Sequence, residues 1–276
     1  MMKLLIFSIC CISGVLGGEK GYMFVNDIYV KDIVEMDVIT ESYQGIYSYM
    51  SNFSGRMETE FVERENGDYI FTQTWRNIIS TYRKNDEMRV DHASQKLNGA
   101  QFQMTADSTG AAIRTGLNDT GKEMEERNTA LIFFSAQDNI LYPFGSDSLR
   151  QVGDTWTIHN ERHFEEFPGF DNCVADYVGD NVYTFDKIKT KKGKEIAYIS
   201  MKQKFSMSMI TQTWDESWEL DIIGIFNARM QYNVTDNKDV KYKLSGTFSG
   251  EGVDLEDDSS ILFTENMEIE CKRKSK

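Results

Sequence analysis

Apolar and polar residues alternate with a period of two along most of the chain, beginning at Arg56 to Arg64, where Met57, Thr59 and Phe61 interleave with Arg56, Glu58 and Glu60. Successive side chains on a strand point to opposite faces, so this alternation predicts half-buried β-strands. Tyr69, Phe71 and Trp75 continue it beyond Glu65-Asn66-Gly67. A two-residue Asn-Gly loop would pair Phe61 with Thr72 and mix the faces. The pattern therefore predicts a three-residue loop that pairs Phe61 with Phe71 and Met57 with Trp75, with Gly67 left-handed at a bulge. Shorter strands follow at 100–105 and 111–115, joined by the turn Asp107-Ser108-Thr109-Gly110.

The period then changes. Thr120-Gly121-Lys122-Glu123 has the form of a capping box, and Met124, Arg127, Leu131 and Phe134 follow at helical spacing, which predicts a helix over about 122–137, ending before Pro143. Strand patterns resume at Trp156. Residues 182–190 and 194–210 read as a hairpin turning at Lys191-Lys192-Gly193. Phe226, Ala228, Met230, Tyr232 and Val234 alternate next, then Val240, Tyr242, Leu244 and Phe248. A last strand places Ile261, Phe263, Met267, Ile269 and Cys271 on one face. About ten antiparallel strands and one helix define an all-β class, in which a large curved antiparallel sheet or half-barrel wraps a central helix. A β-sandwich is the alternative. Pro143 and Pro168 are the only prolines, so no Pro-rich linker divides residues 19–276, and a single domain is expected.

Residues 1–18 stand apart. Lys3 precedes an apolar run from Leu4 to Leu16 and then Gly17-Gly18, the form of a cleavable export signal too short to anchor in a bilayer. A secreted or periplasmic protein is expected. Removing that segment leaves 29 basic against 44 acidic residues, a charge of −15, which disfavours nucleic acid and anionic lipid surfaces as partners. Of four cysteines, Cys173 and Cys271 survive signal removal, and an exported protein with two makes them a disulfide candidate, two buried free thiols being the alternative.

The export signal, the meander before a helix, Leu141-Tyr142-Pro143, and Val152-Gly153-Asp154-Thr155-Trp156 opening a second group of strands together resemble a group of exported bacterial β proteins of unknown function. In that group a Val-Gly-Asp-Ser/Thr-Trp element follows a Pro-containing stretch midway along the chain. The expected architecture is also similar to the half-barrel lipoprotein carriers of bacterial envelopes, which hold an acyl chain in the concavity of a curved sheet, an analogy of fold alone.

The candidate ligand surface is the stripe Ile199, Met201, Gln203, Phe205, Met207 and Met209, opposite Lys202, Lys204, Ser206 and Ser208. Methionine adapts to irregular apolar shapes, so Met201, Phe205, Met207 and Met209 suit a lipid or other apolar small molecule, with ordinary core packing as the alternative. Trp214 and Trp218, beside Asp215-Glu216, form a second candidate surface for stacking on a sugar or a partner. His159, Glu161, His163 and Glu165 share one strand face but make no closed metal-ligand set, and the acidic loop of Asp254, Glu256, Asp257 and Asp258 lacks calcium-loop spacing. No Gly-x-Ser-x-Gly elbow and no cofactor signature occurs. Asn52, Asn118 and Asn233 lie in glycosylation sequons. The sequence thus points to a non-enzymatic exported protein that binds a lipid-like ligand, or, alternatively, to an envelope or secreted interaction protein with no small ligand.

Overall fold

The computed structural model describes residues 21–22, 33–44, 47–65, 68–84, 87–92, 94–106, 112–122, 148–165, 172–212, 217–236 and 238–274. Residues 1–18, most of the helix expected at 122–137, Trp214 and Asp215-Glu216 lie outside them.

The strands are β1 (Ile33–Gln44), β2 (Tyr47–Glu65), β3 (Asp68–Lys84), β4 (Glu87–Val90), β5 (Gln101–Ala106), β6 (Ala112–Leu117), β7 (Thr155–Phe164), β8 (Cys173–Lys191), β9 (Lys194–Gln212), β10 (Ser217–Asn233), β11 (Lys238–Asp254) and β12 (Ser260–Lys274). All belong to one curved antiparallel sheet in the order β6-β5-β3-β2-β1-β12-β11-β10-β9-β8-β7, with β4 paired to β3. It is a single continuous ladder, not a sandwich of two sheets. Among the described residues the sheet is open, with β6 and β7 at its two ends. The first and last strands meet in its interior, where Ile33 to Gln44 pair with Lys274 to Phe263.

Phe61 pairs with Phe71 and Met57 with Trp75, as the alternation predicts, but the turn differs. Glu65 pairs with Asp68, leaving the two-residue loop Asn66-Gly67. The extra residue is absorbed by a bulge between Phe61 and Glu63. A bulge gives the same face-matching as a longer loop while retaining the favoured short turn. At the β8–β9 hairpin, Lys191 pairs with Lys194, and Lys192 and Gly193 have φ of 50° and 77°, the positive pair that a type I′ turn demands.

The helical turn at 119–122 begins three residues earlier than expected. Asn118, rather than Thr120, is its cap: Oδ1 accepts from the Gly121 N–H at 2.7 Å and from Gln101 N–H at 3.0 Å, while Nδ2 donates to the Gly99 carbonyl at 3.1 Å. The Asn118 amide thus bridges the helical turn to Gly99 and Gln101 with separate donor and acceptor atoms.

From β8 to β12 the two faces of the sheet differ sharply. The inner face is buried and aromatic. Tyr177, Phe205, Phe226 and Phe248 form a file across β8–β11, with successive ring centroids 5.5, 5.9 and 6.5 Å apart. Glycine lies beside these rings: a Cβ on Gly224 would stand 2.1 Å from Phe205, and one on Gly246 2.4 Å from Phe226. The rings therefore lie over neighbouring strands where glycine leaves room. One polar pair is built into this face. Asn181 and Gln203 sit opposite one another, fully buried, and Gln203 Nε2 donates to the Tyr177 hydroxyl at 3.2 Å.

Candidate functional site

Met201, Gln203, Phe205, Met207 and Met209 all face inward, and none is more than 7% exposed. Phe205 is held between Tyr177 and Phe226, so its ring fills the space over Gly224 with the protein's own atoms. The stripe is core in this structure, the alternative that the sequence left open. Trp218 lies at the start of β10, half-buried against Gly252.

Cys173 and Cys271 are free thiols. Their strands, β8 and β12, have β9, β10 and β11 between them, about 19 Å along the sheet at ~4.8 Å per strand, far beyond the reach of a disulfide. The disulfide expectation is corrected on that ground. Burial pushes the Cys173 thiol up to about 11, which makes it unreactive.

The Val152-Gly153-Asp154-Thr155-Trp156 element forms the turn that launches β7. Gly153 has φ +97°, its N–H donates to the Phe185 carbonyl at 2.7 Å, and Asp154 Oδ2 accepts from the Gln151 N–H at 2.7 Å. Trp156 then stacks on Tyr183 at 5.3 Å, with the Arg150 guanidinium 5.3 Å from its ring centre. Gly153, Asp154 and Trp156 thus each have a conformational task.

The outer face carries the polar chemistry. On β7, His159 Nδ1 lies 2.8 Å from Asp180 and His163 Nδ1 2.7 Å from Asp176, so each histidine takes its own aspartate. The hydrogen bond that the His163 ring donates to the Asp176 carboxylate raises the His163 pKa, with Glu165 adding to it. Among the described residues no group of three or more His, Cys, Asp or Glu side chains is arranged to hold a metal ion. In the acidic loop the carboxylates cap the turn: Asp254 accepts from the Glu256 N–H at 2.8 Å and Asp257 from the Ser259 N–H at 2.9 Å. Of the sequon asparagines, Asn233 is 4% exposed and its Oδ1 accepts from the Thr235 and Asp236 N–H groups, so it is closed to modification in the folded chain.

A groove of about 850 Å³ opens on the outer face across β8–β12. One hydrogen-bonded row contributes Asp176, Ser208, Asp221, Glu251 and Leu262, and the next contributes Val178, Ser206, Ile223, Ser249 and Thr264. Val178, Ile223 and Leu262 are 41%, 65% and 69% exposed, large aliphatic side chains in open contact with solvent. Sequence reasoning missed this surface because its members lie on five strands and come together only through register. It also missed Glu265, which shares the inner face of β12 with Phe263 and Met267. There it accepts a 2.9 Å hydrogen bond from Ser42, and burial raises its pKa.

No family model matches the chain, and no curated protein matches it. The solved structures it is similar to include a mutant porin from Rh. blastica (8% identity, TM-score 0.20), covering 86% of this chain and 99% of that one. They also include a loop-deletion mutant of OmpT from Vibrio cholerae (8% identity, TM-score 0.20), covering 88% and 98%. At such TM-scores the likeness carries no argument. Among the described residues no helix is long and apolar enough to cross a membrane, which says nothing of crossing with strands.

Proposed function

We propose that this is an exported, non-enzymatic β protein, of the secreted or periplasmic kind that the first eighteen residues and the Val-Gly-Asp-Thr-Trp element suggest. It acts by binding a partner on the outer face of β8–β12. The observation that carries this reading is the contrast between the two faces of the same five strands. The inward Met/Phe stripe is packed by its own neighbours, whereas the outward face holds a groove with three aliphatic side chains 41–69% exposed. Burying those side chains under a partner would contribute about 1 kcal/mol or more each.

The rival reading is a lipid-like ligand held against Met201, Phe205, Met207 and Met209. Organic extraction and mass analysis of residues 19–276, purified without detergent, separates the two. The expected result is protein free of stoichiometric lipid. Recovery of one lipid per chain would overturn the outer-face reading and return function to the interior.

A further inference from the structure

On the outer-face reading, we propose that the groove receives an extended peptide segment in which lysine or arginine alternates with aliphatic residues. Its aliphatic floor is Val178, Ile223 and Leu262, which explains the apolar half of such a segment. Its charge is one-sided. Asp221 on β10 pairs directly with Glu251 on β11, which sets their Cβ atoms about 5 Å apart across the ladder, and Asp176, answered by His163 at 2.7 Å, is aligned with them on β8. Like charges facing each other across strands disfavour the folded sheet, and among the described residues neither Asp221 nor Glu251 has an ion pair. Elsewhere on the same face carboxylates are answered: Glu270 by Lys241 at 2.9 Å and Lys272 at 2.8 Å, and Glu268 by Lys243 at 3.4 Å.

Among the described residues no lysine or arginine is aligned with Asp221 or Glu251, and His163, at the end of that row, is taken by Asp176 at 2.7 Å. Lys204 is aligned with Asp180 and Ile225, two rows from Asp221, or about 13 Å along the strands, which exceeds the screening length at physiological salt. Asp221 is held in place by Ser208, whose hydroxyl donates to it at 2.7 Å. Two carboxylates without an ion-pair partner, Asp221 and Glu251, beside the exposed Val178, Ile223 and Leu262 side chains are complementary to a strand-like segment that is basic and aliphatic by turns. The chain's charge of −14 would draw the same partner in.

The test is fluorescence anisotropy with the full chain and two labelled, capped decapeptides, one alternating lysine with valine and serine, the other with glutamate in place of lysine. The lysine peptide should bind, with affinity falling as salt rises, and the glutamate peptide should not. Asp221→Asn combined with Glu251→Gln, both exposed positions, should weaken binding at least tenfold, and Ile223→Ser should weaken it as well. Thermal melts monitored by circular dichroism check that the variants remain folded. Equal binding of both peptides, lost in Ile223→Ser but unchanged in the carboxylate variant, overturns the charge selection and leaves the outer-face reading standing. Absence of lysine-peptide binding overturns the proposal, while the outer-face reading falls only on the lipid extraction.

Discussion

Replacing Gly224 with alanine tests the packing of the inner face at its tightest point. An alanine Cβ at this position would lie 2.1 Å from Phe205 Cε1 and 2.4 Å from Cζ, where carbon atoms prefer about 3.5–4.0 Å. Phe205 cannot move aside freely, since Tyr177 and Phe226 flank its ring at 5.5 and 5.9 Å. Two effects oppose one another. Alanine removes the entropic penalty of glycine in a strand, about 0.5–1 kcal/mol. Overpacking a filled site costs about 1–3 kcal/mol. The clash wins, and we expect a net loss of about 1–2 kcal/mol. With an m-value near 3 kcal/mol/M, that is a drop of about 0.5 M in the urea midpoint, read by circular dichroism. The decisive control is the same substitution made in a Phe205→Ala background. That change alone costs about 3–5 kcal/mol, but it removes the obstructing ring, so Gly224→Ala should become neutral or stabilising there. An equal effect of Gly224→Ala in both backgrounds would refute the assignment of Phe205 as the group filling the space over the glycine.

Gly153→Ala should destabilise by about 1–2 kcal/mol in thermal or urea melts through backbone strain alone, because φ is +97° and no atom lies within 4 Å of the added methyl. His163 should titrate above its ordinary value of 6.5 by NMR, and Asp176→Asn should bring it down. The pair's contribution to stability is complete below the unfolded pKa and disappears as pH rises through the raised folded value. Glu265 has the same sign, starting from the carboxyl range. Its raised pKa weakens the fold as pH rises from the ordinary carboxyl value through the folded one, so Glu265→Gln should flatten that part of the stability profile and stabilise at neutral pH. Intact mass should be unchanged by reductant, and Cys173 should resist a thiol reagent until the protein is denatured.

Alternation made β8–β12 and the Met57–Trp75 and Phe61–Phe71 pairings legible, because on those strands one face is apolar almost without interruption. It was silent for β1. Val34, Met36 and Val38 alternate with Glu35 and Asp37, but the series continues as Thr40 and Ser42, whose hydroxyls meet Ser51 at 2.6 Å and Glu265 at 2.9 Å, so the hydrophobic period breaks off after three residues. Glu265 escaped notice for a related reason, being the single carboxylate in an otherwise apolar series on β12. The two-residue turn at Asn66-Gly67 was masked by Val62, since a bulge and a longer loop leave the same pattern of paired faces. The outer groove lay beyond local reading altogether: Asp221 and Glu251 are thirty residues apart, and only strand order and register make them neighbours.

The pairing of β1 with β12 has a consequence for how the molecule is made. Residues 33–117 and 155–274 each supply a run of strands that can zip locally, but among the described residues the two runs join through the β1–β12 seam, which needs the strand made last of the twelve. Until then β1 and β11 each present a bare rim, the kind of rim that recruits foreign chains. The sheet therefore closes its central gap only when synthesis of β12 is complete, so a chain cut short of it would be left with two sticky halves. Completeness of the polypeptide becomes a condition of its solubility, and late release of a long-range contact sets the pace at which the whole sheet can form.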